Sequence, residues 1–65
     1  MINEEPKINI NGWFELREVS SILGVSKSTI LRWTRKNLMM CRYRRLNRRR
    51  IWSGKEIIKI WRMII

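Results

Sequence analysis

Ser28, Arg32 and Arg35, within the stretch VSKSTILRWTRKN, recur at i, i+4 and i+7. At 100° per residue this spacing puts them on one face of an α-helix, with Lys27, Thr29 and Lys36 beside them. A guanidinium fork can donate two parallel hydrogen bonds to a phosphate or to the O6 and N7 of guanine, which singles out Arg32 as a reader of bases. Lys27, Arg35 and Lys36 are suited to phosphates, and the hydroxyls of Ser28 and Thr29 to either. A second group follows in RYRRLNRRR, where Arg42, Arg44, Arg45, Arg48, Arg49 and Arg50 put six arginines into nine residues with no acid among them. Both groups offer the chemistry of polyanion binding.

Catalytic chemistry is harder to assemble. The chain has no histidine and no aspartate, and its glutamates are dispersed apart from Glu4 and Glu5, so no nucleophile and base can be paired. The single Cys41 has no partner for a disulfide, and without histidine a structural zinc site is excluded. No glycine-rich phosphate loop is present. A binding module rather than an enzyme is expected, with no cofactor and no metal.

Charge distribution sharpens the polyanion reading. The 65 residues carry 15 Lys and Arg against 5 Glu, and between Val19 and Lys55 there are eleven positive residues and no negative one. Such a block repels itself until a polyanion neutralises it, and counterion release from a nucleic-acid backbone is the usual source of that affinity. An anionic membrane surface is the second candidate. Basicity without a partner is the third. No apolar run approaches the ~18 residues of a membrane span, and MINEEPK lacks the basic then apolar order of a secretory leader. A cytoplasmic protein without a membrane partner is expected.

Several elements must position these residues. Residues 1–12 show no helical period and are expected to form a flexible arm, with a short strand near Ile8 to Ile10 as an option. After Trp13 and Phe14, Leu16, Val19 and Leu23 recur at i, i+3 and i+7, and Gly24 is a stop signal. This predicts a helix of about two turns. Ser26 is an N-cap for the next helix, with Ile30 and Trp33 on its core face and Leu31 projecting toward the basic face, against a thymine methyl or the sugar-phosphate edge. Two helices joined by Gly24-Val25-Ser26 match a helix-turn-helix, Val25 setting the angle between them.

After Asn37, alternation predicts a strand with Met39, Cys41 and Tyr43 on one side, a turn over Leu46-Asn47-Arg48 with Asn47 accepting positive φ, and a returning strand on which Arg50 and Trp52 share a face. Ser53-Gly-Lys-Glu56 reads as a reciprocal capping box opening a C-terminal helix. Ile57, Ile60, Trp61 and Ile64 form the apolar stripe of that helix, and Lys55, Lys59 and Arg62 its polar one. The fold class is therefore α+β.

From Trp13 to about Ile64 the chain resembles the excisionase and AlpA-type branch of the MerR-like winged helix-turn-helix domains. The resemblance is carried by Glu18-Val19-Ser20, Leu23-Gly24-Val25-Ser26, Ser28-Thr29-Ile30, Arg32-Trp33, Arg48-Arg49-Arg50 with Trp52, and Ser53-Gly54-Lys55-Glu56-Ile57. It implies a small winged helix-turn-helix DNA-binding domain over residues 13–65. The second helix would enter the major groove and the arginine-rich hairpin, as the wing, the adjacent minor groove. Arg48 and Arg49 near the tip would then sense groove shape, while Arg42, Arg44 and Arg45 neutralise phosphates along the flank. The chain departs from the family at Leu38-Met39-Met40-Cys41, which lacks a proline, and at the tip, which lacks a glycine.

The implied partner is double-stranded DNA. The implied roles are a recombination directionality factor, with an integrase as protein partner, or a small transcriptional regulator of a mobile element. A chain ending at Ile65 is not expected to be a full MerR-type sensor. One helix and one wing touch few base pairs, so further copies on adjacent sites are expected, with Ile58 and Ile65 as candidate contacts between them. The alternative is an arginine-rich RNA-binding protein. That reading calls for exposed aromatics on a sheet or a basic segment that folds only on its RNA, and Tyr43 is the one aromatic expected near the basic face. A basic amphipathic membrane peptide would need residues 57–65 exposed as a helix.

Overall fold

The computed structural model describes residues 2–64. In chain order these form β1 (Trp13–Glu15), α1 (Leu16–Leu23), α2 (Lys27–Arg35), β2 (Arg42–Tyr43), β3 (Arg50–Ser53) and α3 (Gly54–Ile64). The three strands make one antiparallel sheet in the order β1-β3-β2, so the expected α+β class holds. No helix among the described residues is long and apolar enough to cross a membrane.

Residues 16–35 follow the sequence pattern closely. Glu15 caps α1, its backbone N–H donating to Glu18 Oε1 at 3.0 Å. Gly24 ends the helix at φ 67°, a left-handed conformation that costs a residue without Cβ almost nothing. Ser26 caps α2 by accepting from the Thr29 N–H at 3.3 Å. Val19, Leu23 and Ile30 are fully buried, whereas Val25 and Trp33 are half-buried against that core.

The sheet departs from expectation in ways that local pattern could not show. There is no strand at Ile8 to Ile10; the N-terminal strand is Trp13–Glu15, in register with Ile51–Ser53. Residues 2–12 form no regular element, yet they are tied to the domain. The Ile2 N–H donates to the Leu23 carbonyl, the Lys55 N–H to that of Ile10, and the Trp61 indole to that of Ile2. Gly54 lies directly under this segment: a Cβ there would sit 2.2 Å from the Asn9 carbonyl oxygen.

The strand expected to run through Met39, Cys41 and Tyr43 pairs only at Arg42–Tyr43. Met39 is buried while Tyr43 is exposed, so these three residues do not share one environment. The reason is that Met39 has already been claimed by the core, together with Trp52, Ile57 and Ile60. Only half of the expected capping box forms at α3. The Glu56 N–H donates to Ser53 Oγ at 3.3 Å, but the Glu56 carboxylate accepts from the Met40 N–H at 3.0 Å instead of reaching back. Ser53 is itself the last residue of β3, in register with Trp13, and the unpaired backbone before β2 takes the carboxylate. On α3, Ile57 and Ile60 are buried as expected, but Ile64 is exposed; Ile65 lies outside the described residues.

Candidate nucleic-acid interface

The polar face of α2 is open to solvent. Lys27, Ser28, Arg32 and Arg35 are exposed and Thr29 is half-buried. Ser26, Ser28 and Thr29 join their hydroxyls at the start of the helix, at 3.1 and 2.8 Å from Ser26 Oγ, and Arg32 reaches Thr29 Oγ1 at 3.4 Å. Hydroxyls and guanidinium thus form one polar ridge whose groups hydrogen-bond to one another. Lys36 falls one residue past the helix, at its C-cap, because Asn37 turns the chain away at φ 61°. Leu31 is half-buried and packs at the edge of the core.

The hairpin is turned without glycine. The Arg44 N–H donates to the Arg49 carbonyl at 2.9 Å and closes the neck, and the Arg48 N–H donates to the Arg44 carbonyl at 2.7 Å. Arg48, not the expected Asn47, takes the positive φ, at 55°. Asn47 acts through its side chain, with Oδ1 accepting from the Arg49 N–H at 3.1 Å. An asparagine amide that mimics a backbone acceptor two residues back is a standard turn device.

The six arginines are not equivalent. Arg44 and Arg49 each place Nη1 3.3 Å from a different oxygen of the same carboxylate, that of Glu15. Arg50 donates through Nε to the Tyr43 hydroxyl at 3.2 Å and lies 6.0 Å over that ring; the hydrogen bond holds its pKa above the ordinary guanidinium value. Arg45 and Arg48, at the tip, and Arg35 on α2 are exposed and make no ion pair among the described residues.

Packing brings part of this set together. Lys27 and Leu31 of α2 face Arg49 and Arg50 of the hairpin across one cleft, with Glu15 and Glu18 at its side. A hydrogen-bond chain fixes the two elements against each other: the indole N–H of the fully buried Trp52 donates to Thr34 Oγ1 at 3.1 Å, and that hydroxyl donates to the Ile30 carbonyl at 2.9 Å. Arg42 is not part of this cleft. It lines another, beside Trp13, Met40 and Lys55.

Two contributors escaped sequence reasoning. Glu15 reads locally as a favourable charge at a helix N-terminus, and only the pairing of β1 with β3 carries it to the hairpin neck. Leu46, in the middle of the arginine run, is 92% exposed, more than any other large apolar residue described. Its isolation among arginines was the available signal. Comparison with protein-family models, with curated proteins and with solved structures finds no match.

Proposed function

We propose that the protein binds double-stranded DNA with sequence preference as a winged helix-turn-helix domain, α2 lying in the major groove and the β2–β3 hairpin, as the wing, in the adjacent minor groove. The observation that carries the reading is the shared cleft. Lys27 on α2 and Arg49 and Arg50 on the hairpin border one opening, whose lining also includes Glu15 and Glu18, and this proximity supports one duplex meeting both basic elements at once. An α-helix fits the major groove, and arginine is favoured in a narrow minor groove by its enhanced negative potential. Arg32 is the base reader; Lys27, Arg35 and Lys36 contact phosphates; Arg45 and Arg48 project from the wing. Arg44 and Arg49 share their charge with Glu15 and contribute less to phosphate neutralisation. Arg42, on its separate cleft, is a flank contact at most.

With the resemblance to excisionase and AlpA-type proteins, this geometry supports a role as a recombination directionality factor or small transcriptional regulator of a mobile element, several copies acting on adjacent sites. Fluorescence anisotropy or gel shift against duplexes from the protein's own genomic neighbourhood tests the reading, with RNA and anionic liposomes as competitors. Duplex binding whose logarithm falls linearly with the logarithm of salt concentration supports it. Tighter binding to RNA hairpins than to any duplex would replace it with the RNA reading, and capture by liposomes with the membrane one.

A further inference from the structure

The tip of the hairpin combines three features that a loop serving only as a charged flap does not need. Its apex residue is aliphatic: Leu46, 92% exposed, stands between Arg45 and Arg48. Its backbone is held, not loose, by the two hydrogen bonds that run between Arg44 and residues 48 and 49 and by the Asn47 side chain. Its conformation is strained, with Arg48 at φ 55°, where a residue bearing Cβ is disfavoured and persists only when its surroundings over-determine it. Below the tip, the carboxylate of Glu15, 29% exposed, grips Arg44 and Arg49. Glu15 is in turn held as the last residue of β1 and the cap of α1. The apex is thus braced against the body of the domain through two elements.

A braced apolar apex between two cations is the form of a wedge. Proteins that enter the minor groove insert leucine, isoleucine, methionine or phenylalanine between base steps, unstacking them and kinking the duplex. Arginines on either side pair with the phosphates that line the opened minor groove. A flexible loop would yield before the bases did, whereas a tip braced in this way can push. A leucine on a surface is by itself unremarkable; a leucine at the apex of a hydrogen-bonded, glycine-free turn with a positive φ at Arg48 is a different observation.

We infer that Leu46 is a DNA-deforming wedge, inserted at a flexible pyrimidine–purine step of the minor groove, and that the protein bends its target there. The inference rests on the DNA reading above, in which a protein of this kind bends or organises DNA, and adds the residue that drives the bend and the way it does so. The probe is an A·T-rich duplex of about 25 base pairs with a central TA step, the kind of step that kinks most readily. It carries a fluorophore at each end for energy transfer and, in a second preparation, 2-aminopurine at the step. Wild-type protein brings the ends together and raises the 2-aminopurine signal. Leu46→Ala lowers the bend to less than half and abolishes the 2-aminopurine rise, while the slope of log affinity against log salt stays the same because no charge is lost. Leu46→Phe restores both signals. As the side chain is almost wholly exposed, neither substitution threatens the fold. Equal bending and equal 2-aminopurine signal with Leu46→Ala would overturn the wedge and leave the DNA reading standing, as would salt-dependent binding by wild type without unstacking. Absence of salt-dependent duplex binding by wild type would overturn both.

Discussion

Thr34→Val isolates the contact that sets the hairpin against α2. The substitution keeps the shape of the side chain and removes the oxygen that accepts from the Trp52 indole at 3.1 Å. Trp52 has no exposed surface, so its N–H cannot turn to water and is left unpaired inside the core. An unsatisfied buried donor costs about 1–3 kcal/mol. The Ile30 carbonyl also loses the hydroxyl that donated to it at 2.9 Å, but it keeps its place in the helical ladder, so the total should be about 2 kcal/mol. At roughly 4–8 °C per kcal/mol for a domain of this size, the melting temperature falls by about 8–16 °C.

Urea unfolding followed by circular dichroism gives the free energy directly. The decisive comparison is a double-mutant cycle with Trp52→Phe, which removes the donor and gives up the indole's remaining packing. In that background Thr34→Val should cost less than about 0.5 kcal/mol, since no unpaired N–H remains. A melting temperature within 2 °C of wild type (about 0.5 kcal/mol or less), or the same cost in both backgrounds, would refute the reasoning. It would mean that α2 and the hairpin are held by apolar packing alone.

Further outcomes follow from the same geometry. Glu15→Gln removes the charge shared by Arg44 and Arg49, and 15N relaxation should show residues 45–48 gaining fast motion while the α1 amides keep their order; an unchanged loop would show that the two ion pairs are idle. Gly54→Ala, which on helix propensity should gain up to about 1 kcal/mol, should instead lose about 2 kcal/mol or more, because the new Cβ meets the Asn9 carbonyl oxygen at 2.2 Å; a stabilised variant in thermal unfolding would contradict the close approach. Arg32→Ala should flatten the preference among duplex sequences by roughly 1–3 kcal/mol, whereas Arg45→Ala should weaken binding to all of them and reduce the salt slope by about 0.9. Identical effects in a competition titration would dissolve the distinction between base reader and phosphate contact.

Much of the fold was legible because its signals are local. Leu16, Val19 and Leu23 announce α1 by period, Gly24 ends it, and Ser26 opens α2; each acts through groups only a few residues away. The polar ridge of α2 was legible for the same reason. Glu56 marks where that logic stops. Its spacing from Ser53 is right for a capping box, but a backbone N–H sixteen residues away, that of Met40, competes for its carboxylate and wins. The turn shows the same limit at shorter range: asparagine was the residue best able to take a positive φ, yet Arg48 takes it because Asn47 is more useful as a hydrogen-bond acceptor.

What the sequence determined by itself is the excess of positive charge and the helix and hairpin that carry it. Charge sums and helical periods are properties of residue type and spacing, and they survive whatever the chain does elsewhere. What only the tertiary structure decided is which arginines are available. Glu15 lies 29 residues from Arg44 and 34 from Arg49, and nothing at those separations has a period to read. The partnership exists because β1 pairs with β3 and brings the end of one strand to the neck of a hairpin, and strand pairing depends on how the whole core closes around Trp52.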